Sequence, residues 1–551
     1  MKRPKLILVA ATILTMAFAG CSKEKSPAAP AFTVTFNSNG GSAVEPQKVP
    51  GGETAAEPAA PTKTGNSFGG WFTDNNTFVY KWDFANRPVT SDITLYAQWL
   101  VNMRTVAFDS NGGSAVEPQA VAEGGSLSEP TAPAKPGNSF GGWFTDNGTF
   151  TAQVTFPYTV STDVTFYAKW IPNTVTVSFD TNGGSTVDPI TGISYGSVIT
   201  EPAQPTKAAN IFAGWFLDNG TFASRVIFPY TVTSTVTLYA KWLDANAWVE
   251  IRTAADLDAV RNNLMGNYML MNDISLAGYS AGTGWKPIGG DEDGASFTGK
   301  FDGGGHKITG LTINRPSEMV VGLFGNLSSG AISNLGVEIA TGNVTGSQEA
   351  GGIAGTMSNS TITNCYSTGN VSSLGGYAFA GGIVAFATSS TITNCYTTGN
   401  ISSPYESGGI GAFVNGNTIT GCYSTGSITG GMSGGIAGRL FSGTITNCAA
   451  INPTISASSA GRIAGVISGG SASNNFALDV MAVAGGGVFN ASDPMSYGVS
   501  KPIELLQTQA TYDGAVNGDG LGGLGWQFGT DDAHPWQMPA GGGYPVFYWQ
   551  K

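Results

Sequence analysis

The chain has 551 residues, 79 of them Gly, with 11% charged and 41% hydrophobic side chains and a net charge of −12. That length argues against one compact domain, the hydrophobic content against a disordered polymer, and the acidic balance against nucleic-acid binding, because it repels phosphate backbones. High Gly with many Thr, Ser, Asn and Val points to turn-dense β structure.

The first element is an address. Met1 to Lys5 is basic, and Leu6 to Ala19 is a largely apolar run. That is the length of a signal-peptide core and too short to span a bilayer. No later stretch approaches a span. Ala17-Phe18-Ala19-Gly20-Cys21 follows, then a polar run from Ser22 to Pro27. The segment resembles the lipobox of bacterial lipoproteins, with Phe18 where that family prefers Leu. The resemblance implies a signal peptide over 1–20, diacylglycerylation of the Cys21 thiol, and a tether over 21–31. Cleavage removes Lys2, Arg3 and Lys5 and leaves 22 basic against 37 acidic side chains, a net −15. The expected membrane partner is reached through the acyl chains on Cys21, each buried methylene contributing about 0.8 kcal/mol. The expected location is the cell envelope after export, at the outer membrane or cell surface.

Three copies of one module come next. Asn37-Ser38-Asn39-Gly40-Gly41-Ser42 returns at Asp109–Ser114 and at Asp180–Ser185. Trp71 returns as Trp143 and Trp215, and Trp99 as Trp170 and Trp242, at a nearly constant spacing. Each unit opens with an alternating strand such as Thr33-Val34-Thr35-Phe36, turns at Asn-Gly-Gly, and closes with a period-two strand such as Ile93 to Trp99. The units span 32–100, 101–172 and 173–243. Trp71, Trp143 and Trp215 could be sugar-stacking platforms; the small residues before them favour core positions. The ordered motifs resemble the Listeria–Bacteroides repeat, or internalin B-repeat. That resemblance implies a small β-grasp-like fold in tandem arrays, and a spacer or adhesion role.

At Trp248 the pattern changes. Thr253 can cap a short helix with Asp256 in its first turn and Leu257, Val260 and Leu264 on one face. A helix ahead of a solenoid suits an end cap. From Val321, a Gly-Gly-Ile-type element recurs at Gly351, Gly381, Gly408, Gly434 and Gly461. Ile362-Thr363-Asn364-Cys365-Tyr366 travels with it and returns around Cys395, Cys422 and Cys448. A short, nearly regular period of this kind suits one coil of a β-helix. The repeats resemble the GLUG motif of large bacterial surface proteins, and Phe301 to Ile308 resembles a first coil of right-handed β-helices. Stacking predicts an amide ladder of Asn364, Asn394 and Asn447, broken at Gly421, and a column of unpaired thiols. The fold class is therefore all-β: three β-grasp-like modules, then a right-handed β-helix over 248–480 with a short N-terminal capping helix. Residues 481–551, rich in aromatics, are expected to cover the last coil.

Catalysis is not expected, and no cofactor. Residues 351–475 hold only Glu406, Arg439 and Arg462 as charged side chains, on different coils and far apart in sequence. Acid–base cleavage needs clustered carboxylates. His306 and His534 are the only histidines; His306 reads as structural and His534 as a loop residue. Asp291, Asp293 and Asp302 are the candidate Ca²⁺ ligands, but Asp-Glu-Asp-Gly lacks the spacing of a calcium loop, and an exposed loop without metal is the reading taken. The expected function is a stalked adhesin with a glycan or protein ligand. The alternatives are a carbohydrate-active enzyme using the 285–310 or 510–550 loops, and a structural envelope protein. Converging carboxylates across a cleft would favour the enzyme; an exposed aromatic strip beside Ser, Thr and Asn would favour the adhesin.

Overall fold

The computed structural model describes residues 29–485, 498–514 and 523–550. Cys21 and the segment around it lie outside them. The chain forms two compact units, 1–173 and 174–551.

Each module folds for the same local reasons. In the first, strands Ala31–Asn37, Gln47–Pro50, Asn66–Phe72 and Ile93–Val101 make a four-stranded sheet whose first and last strands pair in parallel at its centre. Asn39 and Gly40 both take left-handed backbone, φ 46° and 81°, the geometry that an Asn-Gly hairpin turn requires. Asn39 Nδ2 then donates to the Ala97 carbonyl at 2.8 Å, pinning the turn to the last strand. The second Gly of the motif has a different cause. A Cβ on Gly41 would overlap the indole of Trp99, which donates its Nε1–H to Ser38 O at 2.8 Å. Gly113 with Trp170, and Gly184 with Trp242, repeat the arrangement. Trp71, Trp143 and Trp215 are 1% exposed and centre the three cores. They are core residues, as the sequence suggested, and not platforms.

The solenoid begins at Trp248–Ile251 and winds through about seven turns. Every coil-to-coil pairing is parallel, so the interior faces stack like with like. Ile332, Ile362, Ile392, Ile419 and Ile445 form one inner column, all at most 1% exposed. The glycine pair at each coil's corner is a close-approach device: a Cβ on Gly351, Gly381 or Gly408 would run into the carbonyl of residue 354, 384 or 411. The helix Ala254–Ala259 carries the predicted capping box between Thr253 and Asp256, and buries Leu257 in the core of the first coils. It ends sooner than the apolar spacing suggested, passing into a 3₁₀ turn over Val260–Asn262.

The amide ladder runs further than expected. Asn364 Nδ2 donates to Asn334 Oδ1 at 3.1 Å, and Asn394 Nδ2 to Asn364 Oδ1 at 3.2 Å. After the break at Gly421 it resumes, Asn474 Nδ2 donating to Asn447 Oδ1 at 2.6 Å. All five asparagines hold positive φ, a conformation Asn tolerates better than other side chains. Cys365, Cys395, Cys422 and Cys448 are free and buried, each thiol facing the carbonyl two residues earlier at 3.1–3.3 Å.

The aromatic C-terminus does not simply cover the last coil. Val499–Lys501 does extend that coil, pairing in parallel with Phe476–Leu478, and Leu506 and Tyr512 are buried behind it. Residues 523–550 then run back along the flank. Tyr366, Tyr396 and Tyr423 stack on successive coils at 5.1 and 4.8 Å. Trp526, Trp536, Phe547 and Trp549 stack with one another at 4.6–5.0 Å and lie over that tyrosine ladder in reverse order. The strap is also hydrogen-bonded: Trp526 Nε1 donates to Asn447 O, Tyr423 OH to Pro545 O, and Asn364 Nδ2 to Asp532 O, at 2.7, 2.7 and 3.1 Å.

Candidate functional site

Strand alternation puts residues two apart on the same outer face of a coil. On one face the register aligns Asn326, Thr356, Phe386 and Phe413 in a column, and Ser328, Ser358, Thr388, Asn415 and Ser442 in the next. Phe386 and Phe413 stack at 4.8 Å and 11°, and Phe441 continues the line at 6.2 Å. Phe379, Tyr405 and Tyr377 close the corner edge to face, at 5.4–6.0 Å. Tyr377 is 77% exposed, Leu374 58% and Phe441 50%. This is an aromatic strip bordered by hydroxyl and amide groups.

A charge pair sits beneath the corner. Glu406 is fully buried, with Arg439 Nη2 at 2.9 Å from its Oε1 and the guanidinium within 6.0 Å of the Tyr405 and Phe413 rings. Burial pushes the Glu406 carboxyl up to about 7, against the pull of Arg439. Glu406 and Arg439 are on different coils, as the sequence suggested, and yet they meet. One coil advances about 4.8 Å, so a sequence separation of one coil is a direct contact. The pair still offers no second carboxylate for acid–base work.

The other candidates are divided among separate partners. Asp293 is held by Arg261 and Lys286 at 3.2 and 2.7 Å. Asp302 accepts from Gly304 N and from Asn334 Nδ2 at the foot of the amide ladder, at 2.9 and 3.2 Å. Asp291 lies near Glu349; burial and that neighbouring charge push the Glu349 carboxyl up to about 6. Among the described residues no group of three or more His, Cys, Asp or Glu converges. His534 Nδ1 lies 2.8 Å from Asp531 in an exposed loop. His306 is half-buried, 3.4 Å from Asp273.

Sequence reasoning missed the aromatic corner, although a signal existed. Thr356, Phe386, Phe413 and Arg439 each stand at the same offset after the first Gly of their coil motif. Reading down that offset would have shown large side chains where neighbouring outward columns carry only small polar ones.

The architecture is that of a repeat-built all-β protein. The family model of the Listeria-Bacteroides repeat domain matches residues 32–98, 105–169 and 176–241, one copy in each module. A protein of Evansella cellulosilytica, named as a membrane protein, is 38% identical over 247 residues, which is 45% of this chain and 37% of that protein. Internalin H of Listeria monocytogenes is 39% identical over 131 residues, 24% of this chain and 23% of internalin H. The chain thus spans well under half the length of these relatives. A solved IgA1 protease chain aligns with 62% of this chain and 28% of its own, at 15% identity and a TM-score of 0.31. Among the described residues no helix is long and apolar enough to cross a membrane.

Proposed function

We propose that this is a lipid-anchored surface-binding protein that holds a glycan along the aromatic corner of its solenoid, without turning it over. The anchor is the acylated Cys21, and the modules serve as its stem. The observation that carries the reading is the strip of Phe386, Phe413 and Phe441, with Tyr377 at its side, bordered by Thr388, Asn415 and Ser442. Aromatic rings take the apolar faces of sugars, and hydroxyl and amide side chains exchange hydrogen bonds with their hydroxyls. The stretch 351–475 carries one carboxylate, Glu406, already beside Arg439, so the face is almost free of charge. The likeness to internalin H, the relatives named as membrane proteins and the resemblance of the coil motif to GLUG repeats support a surface role.

The test is an array of glycans and matrix proteins probed with the full chain carrying Cys21→Ser. Binding to a glycan should fall at least tenfold in Phe413→Ala and in Tyr377→Ala, and should change little between low and high salt, because screening has few charges to act on. Binding only to proteins, or binding indifferent to both substitutions, removes the glycan reading. New reducing ends or unsaturated products would replace it with an enzyme.

A further inference from the structure

The third module meets the solenoid over a cleft of about 240 Å³. Glu201, Gln204 and Arg225 come to it from the module, Asp273 and His306 from the first coils, and Trp549 from the strap. Its apolar wall includes Phe228, Leu270 and Met271. Pockets for drug-sized ligands measure roughly 300–1,000 Å³, so this smaller space suits only a single molecule below that size.

Several polar groups around it make no hydrogen bond or ion pair among the described residues, although the charge of Arg225 also reaches the half-buried Asp532. Arg225, half-buried, makes no ion pair and no side-chain hydrogen bond among the described residues. Glu201, exposed at the rim, makes none either; partial desolvation raises its carboxyl and Arg225 is close enough to offset part of that rise. Opposite charges therefore face one cavity without closing on each other. Gln204, also exposed, has no side-chain partner among the described residues, whereas the Trp549 Nε1–H is buried without an acceptor. Asp273 differs: it already accepts from Lys307 N at 3.1 Å and faces His306 Nδ1 at 3.4 Å. Burial and the nearby Arg225 hold the imidazole of His306 below its ordinary value, so it is neutral at neutral pH.

The three modules differ in part at this place. The position of Arg225 is Lys81 in the first module and Gln153 in the second, each packed over the matching glycine. The position of Gln204 is Ala60 and Ala132. Among the module residues that line the cavity, Gln204, Arg225 and Ile227 differ from both siblings, whereas Glu201 recurs as Glu57 and Glu129.

We propose that the cleft binds a free α-amino acid with an apolar side chain, its carboxylate on Arg225 and its ammonium on Glu201. A guanidinium suits a carboxylate because it can donate two parallel hydrogen bonds. A plain anion fits less well. It would meet two carboxylates and one cation, on a chain of net charge −12. A zwitterion brings no net charge and engages both free groups. This site is separate from the aromatic corner, and either assignment can fail without the other.

The experiment is calorimetric titration of the full chain carrying Cys21→Ser with L-leucine, L-methionine and L-phenylalanine in turn. The same titration is made with leucinol, which lacks the carboxylate, with N-acetyl-leucine, which lacks the ammonium, and with glucuronate. At least one amino acid should bind, with both truncated leucine analogues and glucuronate at least tenfold weaker. Arg225→Gln and Glu201→Gln should each weaken that amino acid at least tenfold, while thermal melts report whether the junction still folds. The analogue series on unaltered side chains stands even if a variant does not. Absence of binding by all three amino acids, equal binding of leucinol or N-acetyl-leucine, or tighter binding of glucuronate overturns the proposal.

Discussion

Glu406 carries the clearest pH dependence in the molecule. Its carboxyl titrates near 4.5 when unfolded and at about 7 in the fold, because burial disfavours the charge. The raised value means that folding favours the protonated acid. The stability this gives is complete below pH 4.5 and is lost as pH rises through 7. Glu349 and Asp532, both pushed up to about 6, act in the same direction over a lower window. Glu406→Gln should therefore raise the melting temperature at pH 8 and leave it nearly unchanged at pH 4.5. A melting temperature at pH 8 equal to or below that of the parent contradicts this. The thiols make a second residue-scale case. Burial pushes Cys395, Cys422 and Cys448 well above their ordinary value. Iodoacetamide should leave them untouched in the native protein and label them in denaturant, and peptide mapping under non-reducing conditions should find no bridge. Their column was legible in the sequence because identical residues recur once per coil. Asn334 and Asn474 were missed as ladder members because the flanking motif has decayed there: Leu335 and Asn475 stand where the inner coils have Cys.

At the scale of elements, the capping helix and the amide ladder are the local devices whose loss can be measured. Thr253→Ala removes the hydroxyl that accepts Asp256 N–H at 3.1 Å and should cost about 1 kcal/mol. Asn394→Ala removes a ladder donor to Asn364 and leaves a side chain without local hydrogen bonds at φ 50°. It should cost about 1–3 kcal/mol in denaturant unfolding. A change below about 0.5 kcal/mol, the range of an ordinary surface substitution, would mean that the ladder is ornamental. The strands and turns behind these devices were readable from period and turn chemistry. The strap was not. Trp526, Trp536, Phe547 and Trp549 lie in irregular segments with no periodicity, and their partners are remote in sequence, as Asn447 is from Trp526. Only the three-dimensional tyrosine ladder tells them where to lie.

At the scale of the molecule, the three modules look alike in sequence and differ in role. The first two form a unit with each other, whereas the third belongs to the solenoid's unit. Ala223 O accepts from Asp532 N at 3.0 Å, and Ser224 Oγ donates to Asp531 at 3.2 Å, tying the third module to the strap. Deleting residues 32–100 should leave the melting transition of the solenoid unmoved. Deleting 174–244 should lower it and increase the binding of an apolar dye, because the cleft wall of Leu270 and Met271 loses its cover. Equal effects of the two deletions would count against this division. The sequence could not show it, since repeat motifs report what the modules share, and the docking residues are the ones that vary.

The strap has a mechanical consequence. A stack of coils held only by neighbour contacts can fray from either end, each coil peeling with a modest barrier. Here the segment after the last coil returns across Tyr423 and Tyr396 to Tyr366 and ends with Trp549 packed on Gly305, near the start of the stack. Peeling the last coil requires tearing the aromatic stack along much of the solenoid, and opening the first coils pulls on the same seam. The solenoid is thus laced shut like a closed zipper whose tab is fastened at the far end. A load applied between the stem and a ligand on the aromatic corner would be met by all coils together, and failure under force should be a single abrupt step.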